Sequence, residues 1–182
     1  MTALEVRRIR FGLLALLVVA AVAFLLIKVI GGDDDSSSSD EGAPVGLSES
    51  ELVDKAGSFS HVAYWVGPQQ GTDEYELTET PDGRIYVRYL TGGAGVGDDS
   101  PNFLTVGTYA FPDAKKGLRT AESANQLKSV DSGPRYSVAD GLSGNNVYVV
   151  FDDQPDLQVE VFSPQPGEAR DLVDSGALKP IA

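Results

Sequence analysis

The sequence predicts an α+β protein: an N-terminal transmembrane helix, then a mostly antiparallel sheet of about six strands with two to three helices on one face. Three observations carry this expectation. One apolar run near the N-terminus has the length of a bilayer crossing. Short alternating segments joined by tight turns fill much of the remaining chain. Capping and glycine signals bracket three helical stretches.

The apolar run is residues 11–27, FGLLALLVVAAVAFLLI, in which only Gly12 is not strongly hydrophobic. A bilayer core takes ~20 residues of helix. Lys28 near the helix end can snorkel to the headgroups, so the expected span is residues 11–30, with Phe11, Leu17, Leu25 and Lys28 among its anchoring residues. Arg7, Arg8 and Arg10 precede it and Asp33, Asp34 and Asp35 follow. The positive-inside rule then leaves residues 1–10 as a cytoplasmic tail and places the C-terminal part outside, in a single-pass cell-membrane protein. A cleaved signal peptide has a shorter apolar core, of about 7–15 residues, ending at small residues. Lys28-Val29-Ile30-Gly31-Gly32 offers no such site, and a lipoprotein needs a cysteine that the chain lacks. No G-x-x-x-G or interior polar residue supports helix pairing, so the lipid bilayer is this segment's expected partner.

Charge divides the chain sharply. Residues 1–30 carry Arg7, Arg8, Arg10 and Lys28 against Glu5, whereas the rest holds 10 basic and 26 acidic residues. Nucleic acid and anionic lipid headgroups are poor partners for so acidic a domain. Without cysteines it has no disulfides, so its core must hold it. Residues 31–46, rich in Asp and Ser, read as a disordered acidic linker, with residues 47–182 as the extracytoplasmic domain. Fourteen flexible residues such as 31–44 span about 20 Å r.m.s..

Within the domain, Ser48 and Glu51 form a capping-box pattern, with Leu47 and Leu52 at the staple positions and Gly57 after the helix. Residues 61–66, HVAYWV, read as a strand. Residues 74–78, YELT preceded by Glu74, alternate so that Tyr75 and Leu77 face inward. Pro81-Asp82-Gly83 turns the chain into a partner strand, residues 84–90. Glu74 and Glu76 are expected opposite Arg88 and Arg84, a pairing worth a few tenths of a kcal/mol if exposed. After a glycine-rich loop, residues 103–111 form a fourth strand. A helix after Pro112-Asp113 then places Ala114, Leu118, Ala121 and Asn125 on its dry stripe and Lys115, Lys116, Arg119 and Glu122 on its wet face. Strands at 147–151 and 157–162 and a final helix at about 167–175 complete the order, with Gln158 and Glu160 on the opposite face from Leu157, Val159 and Val161.

Chemistry is constrained mainly by exclusion. One histidine and no cysteine remove a structural zinc site. Gly141-Leu142-Ser143-Gly144-Asn145 is not a nucleophile elbow, and no lysine stands three residues after a serine. Residues 92–97 lack the Gly-Lys-Ser/Thr ending of a phosphate loop. Asp98-Asp99 and the acids at 152–156 lack calcium-loop spacing. No catalytic residue, metal or cofactor is expected. Tyr64, Trp65, Tyr86 and Tyr89 are the candidate binding residues, because adjacent strand residues point to opposite faces and one of each pair must then leave the core or be covered.

Residues 64–68 (YWVGP), 75–78 (YELT), 83–90 (GRIYVRYL) and 104–109 (LTVGTY) resemble a group of uncharacterised exported bacterial proteins with one N-terminal anchor and a small α+β domain. The resemblance covers most of residues 60–175 and implies architecture, with no activity to carry over. The expected function is a membrane-anchored interaction or sensing module, with an envelope protein or carbohydrate as partner. The alternatives are a carboxylate-dependent hydrolase of envelope carbohydrate and a structural envelope component.

Overall fold

The computed structural model describes residues 42–130, 133 and 136–182. The cytoplasmic tail, the apolar span with Phe11, Leu17, Leu25 and Lys28, the topology residues Arg7, Arg8 and Arg10, and nearly all of the linker lie outside the described residues. Among those residues, no helix is long and apolar enough to cross a membrane.

The elements in chain order are β1 (Val45–Leu47), α1 (Glu49–Lys55), a 3-10 turn (Ala56–Ser58), β2 (Tyr64–Trp65), β3 (Thr72–Glu79), β4 (Ile85–Thr91), β5 (Thr105–Ala110), α2 (Ala114–Ser123), β6 (Leu127–Ser129), β7 (Tyr136–Gly141), β8 (Asn146–Phe151), β9 (Leu157–Phe162), α3 (Glu168–Asp174) and β10 (Lys179–Pro180). Eight strands form one sheet in the order β1-β3-β4-β5-β9-β8-β7-β6, and every pairing is antiparallel. The meander β3-β4-β5 and the meander β7-β8-β9 therefore meet along the β5–β9 seam.

This corrects the expected fold in two respects. The sheet has eight strands rather than about six, because β1 starts inside the stretch read as linker and β6 and β7 lie in a polar stretch without strong alternation. Helices also cover both faces. Leu52 of α1 and Ala169 and Val173 of α3 join Leu77, Val87, Val106, Val149, Val159 and Val161 in the main core. Ala114, Leu118 and Ala121 of α2 pack instead with Leu127, Ala139, Tyr148 and Val150. Strand residues alternate between faces, so Val149 and Val150 necessarily serve different cores.

The segment read as a strand at 61–66 also behaves differently. Only Tyr64 and Trp65 are extended in a ladder, and they pair with Lys179 and Pro180 in a separate two-stranded sheet.

Local signals explain the starts and stops. Ser48 caps α1: its Oγ accepts from the Glu51 amide while Glu51 accepts from the Ser48 amide at 2.8 Å. The hydrogen bonds to Ser48 hold the Glu51 carboxyl below the ordinary range. Gly83 has φ +77° and closes the β3–β4 turn, a conformation that suits glycine. The second helix stops two residues short of Asn125, which adopts φ +55° instead of completing the apolar stripe.

Candidate functional site

The four aromatic candidates are all interior. Relative exposure is 4% for Tyr64, 4% for Trp65, 6% for Tyr86 and 1% for Tyr89. Tyr64 stacks on Phe151 at 4.8 Å and Trp65 meets Tyr75 edge-on, as Tyr75 does Tyr89. The Tyr89 hydroxyl accepts from the Val66 amide at 2.9 Å, which ties β4 to the segment leading out of β2. Burial pushes the Tyr64 phenol up to about 12. Tyr86 lies on the other face, edge-on to Tyr109 at 5.7 Å. Covering elements on both faces resolve the expected conflict between adjacent aromatics, and no aromatic surface is left for a ligand at these four positions.

His61 is also engaged. Its Nε2 lies 2.6 Å from the Gly83 carbonyl oxygen and its Nδ1 3.0 Å from that of Val62, so the ring tacks the strand entry to the β3–β4 turn. Among the described residues, no group of His, Asp or Glu is placed to hold a metal ion.

The glycine-rich loop after β4 folds back over the sheet. Glu76 pairs in register with Arg88 rather than Arg84, and Glu74 stands opposite Leu90. The Glu76–Arg88 ion pair is buried, with Nη1 and Oε1 2.6 Å apart. Glu76 also accepts from the Gly97 amide at 2.6 Å, and Arg88 donates to the carbonyls of Asp98 and Ser100. Phe103 lies 4.9 Å from the guanidinium carbon. The loop's polar groups are thus directed at a buried pair rather than at a phosphate. The Glu76–Arg88 pair is buried rather than exposed, while Arg84 pairs with Asp82 at 2.9 Å.

A cationic groove of about 730 Å³ runs beside the first turns of α2. Its position follows from how the chain turns the corner after β5. Asp113 adopts φ +57°, and its amide donates to Asp156 Oδ1 at 3.0 Å. The Phe111 amide donates to the Asp156 carbonyl at 2.7 Å, so the β8–β9 turn is fastened against the start of the helix. Lys115, Lys116 and Arg119 line it together with Asp113, Pro155 and Asp156, three cations against two carboxylates. Lys115 is held by Asp152 at 2.8 Å, with both side chains partly exposed. Lys116 and Arg119 are exposed, and they take part in none of the ion pairs formed among the described residues. Thr120 and Ser123 turn their hydroxyls back to the carbonyls of Lys116 and Arg119. The free donors along this stripe are therefore the ammonium and the guanidinium. Like charges three residues apart on a helix oppose its formation by a few tenths of a kcal/mol. A bound carboxylate or phosphate would relieve that repulsion, and a guanidinium can hold either through two parallel bonds.

Sequence reading had placed these cations on a wet helix face. It lacked the contact of Asp156 with Phe111 and Asp113 that makes the face a groove, since that contact depends on tertiary structure.

The remaining feature is a buried carboxylate. Glu160 is 2% exposed on the α2 face of β9. It accepts from Tyr109 Oη of β5 at 2.8 Å and from Asn146 Nδ2 of β8 at 2.5 Å. Gly107 makes the first of these contacts sterically feasible, because a methyl group there would overlap the Tyr109 hydroxyl. Among the described acids, Glu160 is the one whose carboxyl burial raises, with hydrogen bonds from Tyr109, Asn146 and Tyr148 acting the other way. It lines neither the α2 groove nor the smaller hollow beside Lys55 and Glu79.

The fold and site together define an antiparallel-sheet domain, covered on both faces, with a cationic groove on an otherwise acidic chain. No family model, curated protein or solved structure matches the chain.

Proposed function

We propose that this protein is a membrane-anchored extracytoplasmic interaction module that engages an anionic partner along the α2 groove. The single observation carrying this reading is the concentration of Lys115, Lys116 and Arg119 along one groove of a chain with a formal net charge of −13, two of the three forming no ion pair among the described residues. Elsewhere the negative surface keeps the domain soluble and repels anions, so charge favours this approach over others. The apolar segment 11–27 holds the module at the bilayer, and the linker gives it room to turn.

The test uses the full chain in its own membrane with a photo-crosslinking residue at Thr120 or, as control, at exposed Leu142. Thr120 is expected to give discrete adducts that disappear when Lys116→Glu and Arg119→Glu are combined; the Leu142 position is expected not to give them. Identical adducts from both positions, or adducts that survive the double charge reversal, would remove the groove from the function.

A further inference from the structure

The two buried glutamates of the sheet are treated differently. Glu76 has the Arg88 guanidinium against it. Glu160 has only neutral donors: Tyr109 from β5 and Asn146 from β8, with Tyr148 of β8 also bonding to it. Tyr86 of β4 acts on the same cluster, and the Arg84 guanidinium, paired with Asp82, acts in turn on Tyr86 and Tyr109. Two helices also pack on β9. On α2, Lys115 is bound to Asp152, and Lys116, Arg119 and Glu122 form no bond to Glu160. On α3, Glu168 accepts from Ser163, and Arg170 is shared between Asp140 and Asp174. Glu160 therefore sits at the seam between the two meanders as a buried carboxylate that forms no ion pair among the described residues.

We propose that Glu160 is a proton-sensing latch across the β5–β9–β8 seam, and that acidification outside the membrane tightens the centre of the sheet. The extracytoplasmic setting rests on the function proposed above; the latch itself does not depend on the groove. Removing water from an unpaired carboxylate penalises its charged form, so the folded state takes up the proton more readily than the unfolded chain. The sign follows. Burial raises the folded-state pKa, so this group's stabilising contribution is complete below the unfolded value and is lost as pH rises through the folded value. On protonation the carboxyl becomes a donor, and one tyrosine hydroxyl must turn to accept from it.

The experiment is amide hydrogen exchange of the full-length chain in nanodiscs between pH 5 and 8, corrected for the intrinsic exchange rate. A single linked proton changes protection by up to about tenfold per pH unit. Protection of β5, β8 and β9 is expected to fall with rising pH in the wild type and to stay level in Glu160→Gln, which carries no titrating proton. Tyr109→Phe removes a donor to the ionised form and is expected to move the transition to higher pH. An unchanged pH profile in Glu160→Gln would overturn the proposal. Should that variant fail to fold, an unshifted transition in Tyr109→Phe would overturn it equally. Crosslinking from Thr120 in the same variants reads the groove separately, so its loss alone would count against the module reading and leave the latch standing.

Discussion

Arg88→Ala should destabilise the folded domain by about 3–5 kcal/mol, the range for removing one partner from a buried ion pair. The substitution leaves the Glu76 carboxylate inside the protein with only the Gly97 amide to answer it. The carbonyls of Asp98 and Ser100 lose their donor at the same time, so the glycine-rich loop loses its hold on the sheet. Since a domain's entire stability is typically about 5–15 kcal/mol, this loss is large. Urea unfolding of the full-length chain in micelles, followed through the fluorescence of Trp65, its only tryptophan, measures it. Replacing both partners, Glu76→Leu with Arg88→Met, should recover most of the loss, because neither charge then has to be buried. A cost below about 1 kcal/mol for Arg88→Ala, typical of exposed pairs, would mean that the pair is solvated.

Trp65→Ala should cost a comparable amount, about 3–5 kcal/mol, as expected for emptying a large aromatic site. Trp65 packs edge-on against Tyr75, and Lys179 of β10 lies 5.8 Å from its ring centroid. Its loss should therefore loosen β2, β10 and the following residue Ile181, whose amide donates to the Ala63 carbonyl at 3.0 Å. Trp65→Phe should cost less: it keeps much of the apolar volume, and the indole Nε1 has no hydrogen-bond partner to lose. Circular dichroism melts of the full-length variants distinguish the two outcomes. A Trp65→Ala variant with unchanged melting but weakened partner binding would restore Trp65 as a recognition residue.

What could be read from the chain was local. The capping box at Ser48 and Glu51, the Pro81-Asp82-Gly83 turn and the inward pair Tyr75 and Leu77 each depend on residues close together in sequence, and each has its counterpart in the structure. The burial of Glu76 and of Glu160 was not legible for a common reason. A polar residue alternating with apolar ones implies a wet face only if the sheet has one. Here loop 92–104 lies over β3 and β4, and α2 packs on β8 and its neighbours, so the second face is dry as well. β6 and β7 escaped notice because Lys128, Ser137 and Asp140 break the apolar pattern at the edge of the sheet, where packing demands least. The groove needed a contact between residue 113 and residue 156, which no local pattern encodes.

In the proposed function a folded domain is held outside the membrane by the apolar segment. The absence of cysteine permits a direct measurement, because one introduced thiol is the only one present. The full-length chain carrying Ser58→Cys, an exposed position, is treated in intact cells with a membrane-impermeant maleimide and then fractionated. The expected result is labelling before lysis, on a chain of full-length mass that stays with the membrane. Labelling only after lysis, or a labelled chain shortened by its first thirty residues and released from the membrane, would contradict it.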